Sequence, residues 1–238
     1  MIEKYINETA NSISFTQAEL SNIAMTLSNL KNIINNESDF GEPFLGGSYK
    51  RATMVKGVSD VDVYFRYRGV GNSQTALTAL KSRLVNSYPN TIIKQDNPSI
   101  LADFNKIPIN ITPYKEDSFG NMSIPDKFPL NWKQINFGEL ERLIIQLRKK
   151  NSKYIDLIKI LKFWNFNYKK GLKNFDIERK VCNIFLNPMS VSSTMTDWLW
   201  TFFQNNSYTS EYQKVHTLFL ITDEIKAKFE WQKFINNN

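Results

Sequence analysis

The chain of 238 residues contains a single cysteine, Cys182, and a single histidine, His216. One cysteine cannot form an internal disulfide, so the sequence lacks the covalent crosslinks that are typical of small secreted proteins. A histidine-based zinc site or a Ser-His-Asp triad would need His216 close to partners that the sequence does not identify. We therefore interpret His216 as structural and look for chemistry among oxygen-bearing side chains.

Long apolar runs are also missing. No stretch reaches the ~18 apolar residues of a membrane span, and the polar segment from Met1 to Asn11 does not resemble a signal peptide. The sequence therefore predicts a cytoplasmic protein without a membrane partner. Hydrophobic residues make up 42% of the chain, which predicts a folded rather than a disordered protein. A net charge of +7 favours polyanionic partners such as nucleotides or nucleic acid.

The most informative stretch runs from Phe44 to Phe65 and reads FLGGSYKRATMVKGVSDVDVYF. Gly46-Gly47-Ser48 follows a short apolar strand, and glycine lets backbone N–H groups close on an anion. Asp60 and Asp62 stand two residues apart in a strand-like run, so both carboxylates lie on one face. Paired carboxylates repel each other, and a divalent cation relieves that repulsion. One segment thus predicts a phosphate cradle and a magnesium site.

This segment resembles the signature of the nucleotidyltransferase superfamily related to DNA polymerase beta. It is most similar to the branch that holds the bacterial cyclic-oligonucleotide synthases (CD-NTases), the oligoadenylate synthetases and the archaeal CCA-adding enzymes. Members read roughly Gly-Ser-x-x-Arg-Gly-Thr and then Ser-Asp-hydrophobic-Asp. The matching residues are Gly47, Ser48, Arg51, Thr53, Ser59, Asp60 and Asp62. Ala52 departs from the pattern, since glycine is usual there.

The resemblance implies an α+β fold, with a polymerase-beta-like mixed-sheet core, an N-terminal helix and an all-helical C-terminal lobe. We assign residues 1–132 to the core and residues 133–238 to the lobe, with an NTP in the cleft between them. Asp60 and Asp62 are then expected to bind two Mg²⁺ ions, for which Mn²⁺ could substitute. Gly46, Gly47 and Ser48 are expected to hold the β and γ phosphates.

Apolar periodicity predicts the secondary structure around this segment. We expect one helix from Ile2 to Asn35 and another from Thr75 to Tyr88, capped by Asn72-Ser73. Strands are predicted over residues 92–95, 100–104 and 107–112, followed by a loop from Tyr114 to Trp132. Helices are predicted over residues 139–150, 154–170, 176–185, 195–205 and 210–234.

A third acid is missing where the resembled family carries one. Two-metal phosphoryl transfer uses it to bind the second ion and to help deprotonate the attacking hydroxyl. The family pattern is hydrophobic-Asp-hydrophobic-x-Pro, but this chain reads Ile109-Asn110-Ile111-Thr112-Pro113. Three explanations stay open: Asn110 was introduced to trap a substrate, it is a natural replacement that weakens catalysis, or Asp103 takes its place. If Phe104 pairs with Ile107, Asp103 is a diagonal neighbour of Asn110, too far for easy replacement.

Two lysines are candidates for triphosphate binding. The stretch from Leu157 to Asn165 predicts a helix with an apolar stripe that faces the core. It also resembles a Leu-Lys-x-Trp-Asn segment of the same family, in which a lysine reaches the triphosphate. Lys162 is the matching residue and Lys159 lies one turn before it. The alternative is a solvated lysine on an amphipathic helix.

These features predict an enzyme that joins NTPs or dNTPs into a cyclic or linear oligonucleotide, which the resembled bacterial synthases use as a signal in antiphage defence. A sugar hydroxyl attacks the α-phosphate in line and pyrophosphate leaves, helped mainly by positioning and charge neutralisation. One alternative is nucleotide addition to RNA, DNA or protein. Another is a catalytically impaired nucleotide sensor. A nucleic-acid or protein activator or acceptor is compatible with each, and no oligomeric state is predicted.

Overall fold

The computed structural model describes residues 2–35, 39–96, 98–104, 106–126, 130–186 and 194–237. The helices in these ranges are α1 (Ile2–Ser12), α2 (Gln17–Asn35), α3 (Gly47–Lys50), α4 (Ser73–Ser87), α5 (Gly138–Lys150), α6 (Lys153–Asn167), α7 (Asn174–Phe185), α8 (Met195–Asn205), α9 (Thr209–Phe219) and α10 (Glu224–Asn236). The strands are β1 (Phe40–Leu45), β2 (Val61–Tyr67), β3 (Ile93–Asp96), β4 (Ser99–Phe104), β5 (Ile107–Glu116), β6 (Met122–Pro125) and β7 (Trp132–Ile135).

The chain forms two compact units. The sheet unit consists of Phe15–Ala52 and Ser59–Phe137, and the helical unit of Met1–Ser14, Thr53–Val58 and Gly138–Asn238. This division differs from the predicted one at residues 132/133, because two early segments belong with the C-terminal helices. Ile6 of α1 and Val55 are both fully buried in the core of the helical unit.

The sheet unit is built on a mixed sheet, as the resemblance implied. Its strand order is β1-β2-β5-β4-β3, and β6 and β7 continue from β5. Strands β2 and β5 run parallel, whereas the other described pairs are antiparallel. Helices α2 and α4 pack against this sheet. The fold is therefore α+β.

Buried apolar residues alternate with partly exposed residues along β2 and the first half of β5, so each strand has a core face and a polar face. Val61 and Val63 of β2, and Ile109 and Ile111 of β5, are at most 2% exposed. The residues between them point to the opposite face of the sheet, where the strand is only partly covered. The alternation predicted from the sequence is therefore present, and it brings the polar side chains of both strands to one surface.

The predicted N-terminal helix is two helices. Thr16 ends the break between α1 and α2 with a capping box: its hydroxyl accepts from the Glu19 N–H (3.3 Å), and the Glu19 carboxylate accepts from the Thr16 N–H (2.8 Å). The Thr-x-x-Glu spacing was visible in the sequence. Because the break falls here, α1 joins the helical unit and α2 joins the sheet unit.

The predicted loop from Tyr114 to Trp132 was wrong over the described residues. Strand β5 continues to Glu116, and a hairpin turn at Asp117 leads into β6. The Asp117 carboxylate accepts from the N–H groups of Phe119 and Asn121, and this holds the turn. Pro113 does not interrupt β5, because the described pairing with β4 ends at Ile111.

The last predicted helix also divides, into α9 and α10. Asp223 begins α10 by accepting from the Lys226 N–H at 2.7 Å. The core of the helical unit contains the fully or almost fully buried rings of Trp164, Trp198 and Trp231. None of the helices in the described ranges has the length and apolar character needed to cross a membrane.

Candidate active site

The two aspartates and Asn110 meet at one end of the parallel pair β2 and β5. Asp62 lies directly opposite Asn110 in the strand register, and Asp60 immediately precedes β2. The Asn110 amide Nδ2 donates a hydrogen bond to Asp60 Oδ2 at 3.0 Å. The structure therefore brings together the three residues that the sequence proposed as catalytic.

The glycine turn lies against Asp62. Strand β1 ends opposite Val63, and the Gly46 N–H then donates to the Asp62 backbone carbonyl at 3.1 Å. Gly47 has a φ of +59°, and a Cβ added to it would lie 1.7 Å from Asp62 Oδ2. The Asp62 carboxylate thus occupies the space that a side chain at residue 47 would need. Glycine is required here for both its backbone conformation and its missing Cβ.

We expect Gly47→Ala to displace the Asp62 carboxylate. The substitution should lower stability by about 1–2 kcal/mol through the left-handed backbone alone, and it should also weaken Mg²⁺ or Mn²⁺ binding. Gly57→Ala is the matched control, since Gly57 has a φ of +74° and nothing lies within 4 Å of its added Cβ. Calorimetric metal titration of both variants checks this, and equal metal affinity in the two would contradict the role of Gly47.

Ser48 lies at the start of the short helix α3 and is 7% exposed. Its hydroxyl has no hydrogen-bond partner among the residues that the structure describes. A hydroxyl that makes no bond within the protein is free to donate to a ligand, and a phosphate oxygen is a suitable acceptor. The position of Ser48 is therefore compatible with the phosphate contact expected from the sequence.

Ser48→Ala should weaken NTP binding by about 1.5–3 kcal/mol, the contribution of one hydrogen bond to a charged group. The melting temperature of the protein without nucleotide should stay nearly unchanged, because no described intramolecular bond is removed. Calorimetric titration with a non-hydrolysable NTP measures the difference. An unaltered NTP affinity would remove Ser48 from the site.

Asp60 has an environment that disfavours a bare negative charge. Burial raises the pKa of the Asp60 carboxyl, the hydrogen bond from Asn110 lowers it, and the charge of Asp96 raises it further. Sequence reasoning missed Asp96, which ends β3 one residue beyond the predicted strand, and Ser99, whose Oγ donates to Asn110 Oδ1 at 3.4 Å. Asp96 ends β3 and Ser99 begins β4 directly opposite it, so the sequence signal was the meeting of two predicted strand ends.

The donor set at this place suits a hard divalent cation. Asp60 and Asp62 offer carboxylate oxygens, and a bound cation would offset the burial and repulsion that raise the Asp60 pKa. Across the described ranges no three acidic, cysteine or histidine side chains are grouped so that they could hold a metal ion. The site thus has two carboxylates and the Asn110 amide in place of three acids.

Ala52 and Thr53 lie in the middle of the matched segment and have different structural roles. Ala52 adopts a φ of +59°, which explains why glycine is usual at this position of the family pattern. Thr53 is completely buried within the helical unit, where its hydroxyl donates to Glu178 Oε1. The matched threonine is therefore a buried structural residue.

The two candidate lysines have structural partners in the helical unit. Lys162 is 0% exposed, and its ammonium donates to Glu178 Oε1 at 2.7 Å and to the Thr53 carbonyl at 2.9 Å. Neither a solvated position nor contact with a triphosphate agrees with this burial, so we leave Lys162 out of the proposed nucleotide site. Lys159 is partly buried and donates to Ser14 Oγ at 3.0 Å, and it stays a candidate.

Comparisons with known proteins agree with this geometry. The family model of the Second Messenger Oligonucleotide or Dinucleotide Synthetase domain (SMODS) matches residues 1–144. No curated protein matches the chain.

Several solved structures share the fold. The chain is similar to CdnC of E. coli MS115-1, solved with ATP, with a TM-score of 0.80 and 13% identity over 98% of this chain and 97% of that chain. It is also similar to the CD-NTase CdnG of Bradyrhizobium diazoefficiens in complex with GTP, with a TM-score of 0.69 and 10% identity over 99% and 90% of the two chains. The Vibrio cholerae cyclic AMP-GMP synthase DncV gives a TM-score of 0.67 at 10% identity, over 82% of this chain and 69% of that chain.

At such low sequence identities, the structural similarity to these proteins shows a common fold and no more. The family model goes further, because it covers more than half of the 238 residues and includes the glycine turn, both aspartates and Asn110. This chain therefore belongs to the family of Second Messenger Oligonucleotide or Dinucleotide Synthetase domains, with a nucleotidyltransferase fold related to that of the cyclic-oligonucleotide synthases.

Proposed function

We propose that this protein uses NTPs or dNTPs, with Mg²⁺, to make a cyclic or linear oligonucleotide that serves as a signal in bacterial antiphage defence. One observation carries the proposal: Asp60, Asp62 and Asn110 meet beside a glycine turn whose missing Cβ accommodates the Asp62 carboxylate. Membership of a family described as second-messenger synthetases supports the class of product.

In this proposal, different residues of the sheet unit bind the phosphates and the cation. Ser48 and the backbone N–H group of Gly47 bind the β and γ phosphates. The Gly46 N–H, which the sequence also assigned to phosphate, donates to the Asp62 carbonyl instead and holds the turn in place. The Asp60 and Asp62 carboxylates hold the cation. When bound, Mg²⁺ supplies charge neutralisation at the triphosphate. An acceptor 2′- or 3′-hydroxyl bonds to the α-phosphorus and loses its proton to solvent water. The bond to the pyrophosphate oxygen breaks, and pyrophosphate carries away the electron pair.

The solved relatives support a choice of substrates and partners to test. Similar proteins have been solved with ATP and with GTP, so we propose these two nucleotides as the first to test. The CdnC relative also forms a CdnC:HORMA-deltaN complex. By analogy, we propose that a protein activator or a nucleic-acid activator regulates this chain.

A nucleotide sensor is the second candidate, and Asn110 is the observation that favours it. The amide donates to Asp60 at 3.0 Å, so the residue at the third acid position occupies that carboxylate oxygen and adds no negative charge of its own. An amide is also too weak a base to take a proton from the acceptor hydroxyl. A protein with this site can bind a nucleotide and its cation without efficient turnover.

Incubation with each labelled NTP and dNTP, with and without Mg²⁺, separates the two candidates. The synthase predicts Mg²⁺-dependent pyrophosphate release and products that anion-exchange chromatography resolves, and resistance to phosphatase identifies cyclic ones. The same panel is run with Asn110→Asp. Nucleotide binding without incorporation by either protein, with ATP and GTP present together, would favour the sensor.

A further inference from the structure

A groove of about 590 Å³ lies between α9 and α10 in the helical unit. Its floor includes Leu218 and Phe234, which are 5% and 4% exposed, and the ring of Tyr168. Helix α9 has 11 residues and α10 has 13. At a rise of about 1.5 Å per residue, the groove has walls about 16–20 Å long, which is the length of three turns of a further helix.

The rim of the groove is basic. Lys214 of α9 and Lys226 and Lys233 of α10 all line it, while Glu230 is the one acid among its described lining residues. Lys226 and Lys233 are exposed, and neither forms an ion pair with a carboxylate in the described part of the chain. Lys214 Nζ lies 5.7 Å from the centre of the Tyr168 ring. The rim therefore offers three ammonium groups to a ligand.

Large apolar side chains are exposed on α10 and at the end of α9, the two helices that form the groove. Leu220, Ile225 and Phe229 are 65%, 83% and 61% exposed. Ile225 and Phe229 are four residues apart on α10, so they form a stripe beside the face that carries Lys226. Exposed apolar clusters with a charged rim are typical of protein interaction sites.

We propose that this groove binds an acidic amphipathic helix of a partner protein. Apolar side chains spaced three and four residues apart on the partner would cover Leu218, Phe234 and Phe229. Carboxylates on either side of that apolar stripe would pair with Lys226 and Lys233. The inference concerns the helical unit alone and does not rest on the proposed synthase activity.

The apolar surface favours a protein helix over nucleic acid. A phosphate backbone would pair with the lysines, but it would leave Ile225 and Phe229 in water and bring charge against Glu230. An acidic helix satisfies the ammonium groups and also removes the apolar side chains from water, which stabilises a complex by about 25 cal/mol per Å² of apolar surface. Charge complementarity and apolar burial thus point to the same occupant.

The test measures binding of a fluorescein-labelled, stapled peptide of about three helical turns, with leucines on one face and glutamates on the flanks. The peptide should bind the full chain, and Lys226→Glu with Lys233→Glu should weaken binding by at least about tenfold. Ile225→Ser with Phe229→Ser should also weaken it. The two lysines and the two apolar residues are all exposed, so their replacement should not disturb the fold, and circular dichroism checks this. Lys149→Glu with Lys153→Glu is the matched control and should leave binding unchanged.

Three outcomes with the peptides would overturn the proposal, and a fourth comes from a competitor. The first three are no binding of the acidic peptide, an equal loss in the Lys149/Lys153 control, and tighter binding of the same peptide with lysines in place of its glutamates. A short single-stranded DNA serves as competitor. If it displaces the peptide and binds better than the peptide does, the groove is a nucleic-acid site instead.

Discussion

Asn110→Asp should raise the rate of pyrophosphate release by about 10²–10⁴-fold, the usual contribution of a general base. The new carboxylate would lie opposite Asp62 and within hydrogen-bond distance of Asp60, where the amide now donates. It would add charge for a second cation and basicity for the acceptor hydroxyl. Without metal the variant should be less stable, because a donor is lost and three acids repel. Mg²⁺ should restore the stability, since the ion binds the folded state.

Asp103→Asn is the control for this experiment. Strand β4 places Leu101 opposite Asn110, and Asp103 pairs with Pro108 further along the sheet. We therefore expect Asp103→Asn to change the rate little. If Asn110→Asp changes nothing and Asp103→Asn abolishes activity, Asp103 is the third acid, and our assignment of Asn110 is wrong.

Lys162→Met should destabilise the protein by about 3–5 kcal/mol, as is usual when one partner of a buried ion pair is removed. Both charged side chains are 0% exposed, so the Glu178 carboxylate would lose its ammonium partner without gaining water. The Thr53 carbonyl would also lose a donor. Chemical denaturation of the nucleotide-free protein measures the change.

Lys159→Met is the matched control on the same helix, because the Lys159 side chain is 15% exposed and its contacts to Ser14 and Asp156 are near the surface. It should cost less stability than Lys162→Met. Lys162→Met with Glu178→Leu should recover part of the loss, since no unpaired charge stays buried. If Lys162→Met is no worse than the control, the pair is not a major source of stability.

The central site could be predicted because its residues are close in sequence. A strand of period two, a glycine turn and two aspartates lie within one short stretch, and local geometry alone places them together. Asn110 was found through the resemblance of residues 109–113 to the family pattern, and the parallel pairing of β5 with β2 then brings it to Asp62. Asp96 and Ser99 were missed because their approach depends on the order of strands in the sheet, which local periodicity does not contain.

The position of Lys162 could not be predicted from its helix alone. An amphipathic pattern suggests a solvated lysine, but Glu178 of α7 and Thr53 of a distant segment complete its surroundings. The two compact units differ from the predicted boundary at residues 132/133 for a related reason. Thr53–Val58 interrupts the sheet unit in sequence, and only tertiary packing shows that Val55 belongs to the helical core.

The most direct test of the central claim compares pyrophosphate release with and without the two aspartates. Asp60→Ala with Asp62→Ala is measured with ATP, GTP and Mg²⁺, both in the present chain and in the Asn110→Asp variant, and thermal unfolding is followed in parallel. If Asp60 and Asp62 hold the catalytic cation, release falls to background in both proteins while each still unfolds cooperatively. Unchanged release in a folded double variant would contradict the assignment of these aspartates and the mechanism built on them.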